Sequence, residues 1–218
     1  MTYLTEFHAH SIYSKDSLAT LARMIETCRK KGIDRLVITD HNTIQGALEA
    51  QKLASELIII GEEIMTTKGE ILAFFVREEI PAMLTPQETI ARLKAQDAFI
   101  SVSHPFDFTR SGHWLEADLL EILPQIDAIE TFNARCLLPR MNAQAQAFAS
   151  RHGIASTVGS DAHALFELGR ATLTLPPFNS TRELRRVIRQ GTPQTRKTGI
   201  HARIASRYAV IRKKIYQT

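Results

Sequence analysis

The sequence predicts an α/β protein of the barrel type, and three observations carry that prediction. Short apolar runs such as Leu36-Val37-Ile38 and Phe99-Ile100-Ser101-Val102 alternate with segments of helical spacing. The links between them are short, and continuously apolar strands belong to a parallel sheet covered by helices. About seven such strands can be counted, which favours a barrel over an open sheet. No Gly-x-Gly-x-x-Gly or Walker sequence supports a nucleotide-binding open sheet instead.

Taken in order, Tyr3 to Ala9 is an apolar-biased strand that carries His8 and runs on to His10. Leu18 to Lys31 has helical spacing through Leu18, Leu21, Ala22, Ile25 and Cys28. It closes on Arg29, Lys30 and Lys31 before Gly32, a favourable helix end. Leu36 to Ile38 is a buried strand ending in Thr39-Asp40-His41-Asn42, and Thr43 to Leu57 is helical again. Ile58 to Ile60 runs into Gly61-Glu62-Glu63, and Glu70 to Val76 reads as another buried strand. Thr85-Pro86-Gln87-Glu88 starts a helix with proline near its first turn. Phe99 to Val102 leads to Ser103-His104-Pro105, and Ile126 to Ile129 leads to Glu130-Thr131-Phe132-Asn133. Met141 to His152 is an Ala-rich helix stopped by Gly153, and Ala155 to Gly159 leads to Ser160-Asp161-Ala162-His163. Arg182 to Gln190 and Ile200 to Ile215 are amphipathic helices rich in bases.

At 218 residues, with 44% hydrophobic and 23% charged residues, the chain is long enough for a substantial core. It divides into a barrel over 1–180 and a basic helical extension over 181–218 that packs on it. From Arg182 to Thr218 eleven Lys/Arg face one acid, a net +10, whereas the rest carries sixteen bases and twenty-two acids, a net −6. The extension therefore either caps the barrel or offers an electrostatic footprint for nucleic acid or an anionic membrane surface. Cys28 and Cys136 fit neither a disulfide framework nor a thiolate zinc site. No apolar run approaches the ~20 residues of a membrane span, and no signal-peptide pattern opens the chain. A cytoplasmic protein without a transmembrane segment is expected.

In a parallel barrel the C-terminal ends of the strands share one face. His8/His10, His41, Glu63, His104, Glu130 and Asp161/His163 all stand at such ends, and five of the eight histidines are among them. In a strand, residues two apart point to the same side, so His8 and His10 aim two imidazoles at one point. Imidazole and carboxylate without thiolate suit Zn, Mn or Fe. Roughly eight such groups are too many for one ion and suit two or three sharing a carboxylate.

The set His8-x-His10 with Asp16, Thr39-Asp40-His41, Gly61-x-Glu63-Ile64, Ser103-His104-Pro105 and Gly159-Ser160-Asp161-Ala162-His163 resembles the PHP (polymerase and histidinol phosphatase) family, from about Tyr3 to Pro177. The resemblance implies a distorted (β/α)7 barrel that binds up to three divalent metals and cleaves phosphate esters. It implies that His8, His10, Glu63 and Asp161 hold one metal. Glu63 bridges to a second, also bound by His104, and Asp16, His41 and His163 hold the third. Many relatives place a further histidine after the bridging glutamate. Here Gly69-Glu70-Ile71-Leu72-Ala73-Phe74-Phe75 has none, so Glu70 is the candidate replacement ligand.

The implied chemistry is in-line attack on phosphorus by a metal-bound hydroxide held by Glu63, His10 and Asp161. Its substrate is a phosphorylated small molecule, a nucleotide or an oligonucleotide end. Arg135 in Asn133-x-Arg135 is the first candidate for phosphate, and Arg170 the second. Asp40, Glu130 and Asn133 are candidate supports for the ligands. Lys15, Arg110, His113 and Trp114 also lie near the site in sequence, although surface-loop or core roles are commoner for them. An amidohydrolase-type barrel would want a metal-bridging lysine at a strand end, and none is present. A catalytically degenerate barrel serving as a nucleic-acid-binding or scaffold module is the remaining alternative.

Overall fold

The computed structural model describes residues 1–199 and 201–216. Strands and helices follow in the order β1 (Tyr3–Ala9), α1 (Leu21–Lys31), β2 (Arg35–Ile38), α2 (Gln45–Leu53), β3 (Ile58–Met65) and β4 (Glu70–Phe74). Then come α3 (Pro86–Ala95), β5 (Phe99–Val102), α4 (Glu116–Ile122), β6 (Ala128–Asn133), α5 (Pro139–His152) and β7 (Ala155–Gly159). β8 (Ala171–Leu175), α6 (Thr181–Val187), β9 (Thr192–Thr195) and α7 (His201–Tyr216) complete the chain. Among the described residues no helix is long and apolar enough to cross a membrane.

The result is a mixed α/β fold around a nearly closed, barrel-shaped sheet. Its strand order is β7-β6-β5-β4-β3-β2-β1-β8-β9. The round closes where His10 N donates to the Ala162 carbonyl and Ala162 N to that of His8, just beyond β7. The first half of β1 pairs instead with β8, antiparallel, with Tyr3 opposite Leu175.

The sheet departs from the all-parallel expectation at β8, which runs antiparallel to β1 and β9, and within the barrel round at β4. β4 is antiparallel to both β3 and β5. Only Thr66 to Gly69 link β3 to β4, and four residues make a hairpin but cannot carry a parallel crossover. The reversal puts the start of β4, Glu70, on the face where the other barrel strands end.

Helix limits follow local chemistry. α1 begins at Leu21 rather than Leu18, because Ser17 Oγ donates to the His10 and His163 carbonyls and ties residues 17–20 to the strand-end loops. It ends on Gly32 at φ 67°, which accommodates the left-handed turn. α3 opens with a reciprocal cap between Thr85 and Glu88 and Pro86 in its first turn. α2 is shorter than Thr43 to Leu57, ending at Leu53. Three elements carry little sequence signal: α4 is seven residues long, β8 five, and β9 is exposed along its length with Pro193 on the sheet edge.

Phe7, Phe74, Phe99 and Phe178 are fully buried inside the barrel with Leu72 and Val158. Leu184, Val187 and Ile188, from α6 and the 3-10 turn after it, join this cluster, and Arg185 pairs with Asp97 and Asp127. The first basic helix therefore packs on the barrel. The second, α7, lies beside the site loops, where Lys213 Nζ donates to the Ile12 and Ser14 carbonyls. Ile200, the expected start of that helix, lies outside the described residues, as do Gln217 and Thr218.

Candidate metal centre

His8 and His10 are both fully buried, and each ring is fixed through its Nδ1. His8 Nδ1 lies 2.9 Å from Glu130 Oε1, a carboxylate that can only accept. Ser14 Oγ donates to Asp40 Oδ1 at 2.7 Å, so it accepts from His10 Nδ1 at 3.1 Å. Both rings therefore carry hydrogen on Nδ1 and turn Nε2 inward. The two Nε2 atoms are 3.1 Å apart.

Glu63 is the hub. Its Oε1 is 3.3 Å from His8 Nε2 and 3.2 Å from His104 Nε2. Its Oε2 is 3.4 Å from His10 Nε2 and 3.0 Å from His41 Nδ1. Ser103 Oγ donates to Oε1 at 2.6 Å and holds the carboxylate in this pose. Asp161 Oδ1 stands 3.3 Å from His10 Nε2 and 3.6 Å from His8 Nε2. Asp161 has φ 52°, the left-handed turn that directs its side chain back across the closing edge of the barrel.

The remaining ligand candidates extend this cluster. Asp16 Oδ2 is 3.1 Å from His163 Nε2 and 3.6 Å from His41 Nε2. Glu70 Oε2 is 3.3 Å from His104 Nε2, and Oε1 is 4.0 Å from His41 Nδ1. Three triplets bring their ligand atoms within 4.8 Å of one another: His8, His10 and Glu63; His10, His41 and His163; His41, Glu63 and Glu70.

The electrostatics suit cations. Burial opposes charge on Glu63 and Asp161, yet both are held well below the usual carboxylate range, Glu63 by His8 and His41 and Asp161 by Arg110 and His8. Burial likewise opposes charge on Asp16, and His163 and His41 outweigh it. Burial, and then the ionised Glu63, push Glu70 up. Burial and the neighbouring His163 and His41 hold His10 well below its ordinary value, which keeps its lone pair available. For His8, burial is outweighed by Glu63, Glu130 and Asp161, and the pKa rises; carboxylates that attract a proton also attract a metal ion. Asp16 Oδ1, Glu63 Oε2, Asp161 Oδ1 and both His104 ring nitrogens are buried without a hydrogen bond. Buried polar atoms left this way are costly unless something binds them. The donor set and these orphaned atoms fit divalent metal ions.

Of the supporting residues, Glu130 Oε2 accepts from His104 N at 2.8 Å and from Asn133 Nδ2 at 3.0 Å, and Asn133 also reaches Asp161 Oδ2. Asp40 acts through Ser11 and Ser14. Arg135 is buried, and its guanidinium contacts His163 Nδ1, the Ala202 carbonyl and Ser206 Oγ, with Nε 3.4 Å from Glu167. Its fork is occupied by the protein. Arg170 stands near Lys31 at the end of α1, and among the described residues no hydrogen bond or ion pair joins its side chain to the cluster. Arg110 does reach the cluster, 2.5 Å from Asp161 Oδ2 and 3.1 Å from Asp107. Lys15 is exposed. His113 Nδ1 contacts the Arg110 carbonyl. Trp114 is buried and donates to the Glu70 carbonyl, a packing role.

Sequence reasoning gave no role to Ser14, Ser103 or Glu167. Glu167 accepts the N–H groups of His163 and Ala164. Their signal was only adjacency to the ligand motifs, since hydroxyls and distant acids are common in loops.

The chain is 36% identical over 177 residues to an uncharacterized protein of Methanocaldococcus jannaschii, covering 80% of this chain and 71% of that one. Its fold matches a two-domain protein of Bacteroides vulgatus containing a predicted PHP-like metal-dependent phosphoesterase, with TM-score 0.71 and 18% identity over 89% of this chain and 65% of that one. It also matches the lesion-specific endonuclease PfuEndoQ of Pyrococcus furiosus, with TM-score 0.63 and 18% identity over 89% of this chain and 57% of that one. The model described as PHP-associated matches residues 139–193. The model described as PHP domain matches residues 6–134, more than half of the sequence, and the chain belongs to the PHP domain family.

Proposed function

We propose that this protein is a metal-dependent phosphoesterase that hydrolyses a phosphate ester of a small molecule, a nucleotide or an oligonucleotide end. The observation that carries the reading is Glu63, each of whose oxygens faces two imidazole nitrogens. A carboxylate so placed suits a bridge between ions. His8, His10, Asp161, His104, Asp16, His41 and His163 complete the set, and Glu70 supplies oxygen where a nitrogen ligand would otherwise stand. Two or three Mn, Zn or Fe ions held there would bring a coordinated water toward a neutral pKa and neutralise phosphate oxygens.

The chain's own groups do the positioning. Glu130 and Ser14 fix the imidazole tautomers, and Ser103 fixes Glu63. Arg110 brings a guanidinium beside Asp161, where it can pair with a phosphate oxygen. Neither cysteine acts as nucleophile, because both thiols are buried and burial pushes their pKa values up.

The test is elemental analysis paired with hydrolysis of an aryl phosphate and of short RNA and DNA, for wild type and His10→Ala. Two or more metals per chain, with hydrolysis lost in the variant, is the expected result. Metal near zero and no hydrolysis after loading with Mn, Zn or Fe would overturn the reading in favour of a binding module.

A further inference from the structure

The outer face of α7 is an exposed apolar stripe. Ile204, Tyr208, Ile211 and Ile215 fall at i, i+4, i+7 and i+11, on one side of the helix, and each is between 58% and 64% exposed. The opposite side is the one that packs on the protein. Ala202 and Ala209 are buried there, and Lys213 Nζ donates to the Ile12 and Ser14 carbonyls beside the metal cluster. The stripe is therefore not what seats α7 on the barrel. Phe166, 42% exposed, continues the patch: its ring lies 5.1 Å from that of His201, and it shares a cavity of about 400 Å³ with Tyr208. A contiguous apolar patch with a polar rim marks an interaction surface.

The borders of the stripe are basic. Arg207 and Lys214 flank it on one side and Arg212 on the other, all three exposed. From Leu184 to Thr218 the sequence holds no Asp or Glu. An apolar stripe between basic flanks is the pattern of a helix lying in the plane of a membrane interface, with its aliphatic groups at the acyl boundary and its cations at anionic headgroups. Tyr208, with an apolar ring and a polar tip, suits that depth. Other occupants fit less well. Two copies meeting through this face would bring together five Lys/Arg from each helix, with no acid on either. A protein groove is specified by charges of both signs, and this face carries one. Single-stranded nucleic acid stacks on aromatic rings, and three of the four stripe residues are isoleucine.

We infer that the outer face of α7 docks on a bilayer containing anionic phospholipid, with the helix lying on the membrane rather than crossing it. Lys213 ties the helix to the loops of the metal cluster, so docking brings that end of the barrel to the membrane surface. The inference stands apart from the phosphoesterase reading. One short helix face and a few surface charges make the attachment reversible and weaker at high salt.

The experiment is co-sedimentation with vesicles of phosphatidylcholine alone and of phosphatidylcholine with about one third phosphatidylglycerol, at low and at physiological salt. The proteins are wild type, Ile204→Ser/Ile211→Ser, Arg207→Gln/Arg212→Gln/Lys214→Gln, and Ile211→Cys carrying an environment-sensitive NBD label. Both native cysteines are buried, which directs the label to the new thiol. Wild type should bind the anionic vesicles about tenfold or more tighter than the neutral ones. Each multiple variant should lose about tenfold or more of that affinity at an unchanged melting temperature, and the label should shift to the blue when anionic vesicles are added. No binding to anionic vesicles at low salt would overturn the inference. So would binding undiminished in the isoleucine variant with the label left in water, which is adsorption by charge alone. A dimer in sedimentation equilibrium that the isoleucine variant dissolves, without vesicle binding, would reassign the face to a second copy. Binding of a short RNA in place of vesicles, lost only in the basic variant, would reassign the cations to nucleic acid.

Discussion

Glu130 and His8 meet across the barrel: Oε1 of the carboxylate lies 2.9 Å from Nδ1 of the ring. The other Glu130 oxygen takes the backbone N–H of His104. One acid on β6 thus sets the tautomer of one ligand candidate and anchors the backbone of another. Glu130→Ala should lower metal affinity by about 10–100-fold, the usual effect of removing a group that orients a ligand. Glu130→Gln, which can still accept from His8, should lose less. Metal competition against a chromogenic chelator reads both, and an unchanged affinity in Glu130→Ala would remove Glu130 from the site.

Gly159 makes that pairing possible. A Cβ at this position would collide with Glu130 Oε1 and with His8 Cβ. Gly159→Ala should therefore push β7 away from β1 and separate the pair. Overpacking of this kind costs about 1–3 kcal/mol. The urea midpoint should fall and metal content should fall with it. A variant equally stable and fully loaded would show that the contact relaxes freely.

The separation of Glu70 from the His8/His10 pair sets up a different test. Glu70 touches His104 and His41 but neither His8 nor His10. Glu70→Ala should reduce the metal content by about one ion per chain and leave the ion held by His8, His10 and Asp161. Elemental analysis after gel filtration decides it. Unchanged stoichiometry would return Glu70 to the role of a buried acid beside the site.

How far the sequence revealed these features depended on the range of the signal. Strand-end placement located His8, His10, His41, Glu63, His104, Asp161 and His163, because apolar runs and the residues after them are local in sequence. Glu70 was harder: an all-parallel barrel puts a strand's first residue on the opposite face. The four-residue link from Met65 to Glu70 held the correction, since only a hairpin fits it. Arg135 was singled out as a phosphate arginine, and its partners Ala202 and Ser206 lie nearly seventy residues away, beyond any local pattern. Ser14 and Ser103 act through single hydrogen bonds that leave no periodicity. β9 was invisible because an exposed edge strand has no apolar face to show.

Cys28 provides a stability test away from the metals. It is fully buried on α1, and burial, reinforced by Glu6, pushes its thiol from an ordinary 9.0 up to about 12. In the unfolded chain the thiol ionises near 9.0, whereas in the fold it keeps its proton to about 12. Its contribution to stability is therefore complete below pH 9 and fades as pH rises toward 12, at about 1.4 kcal/mol per pH unit. Cys28→Ala removes this slope along with the thiol. The stability advantage of wild type over the variant, from urea midpoints at pH 7 and pH 10, should shrink by about 1.4 kcal/mol. Other groups titrate in the same interval, but they are common to both proteins and cancel in the difference. A difference constant with pH would mean that the folded thiol ionises as readily as the unfolded one, and that water reaches α1 where its core-facing side is closed.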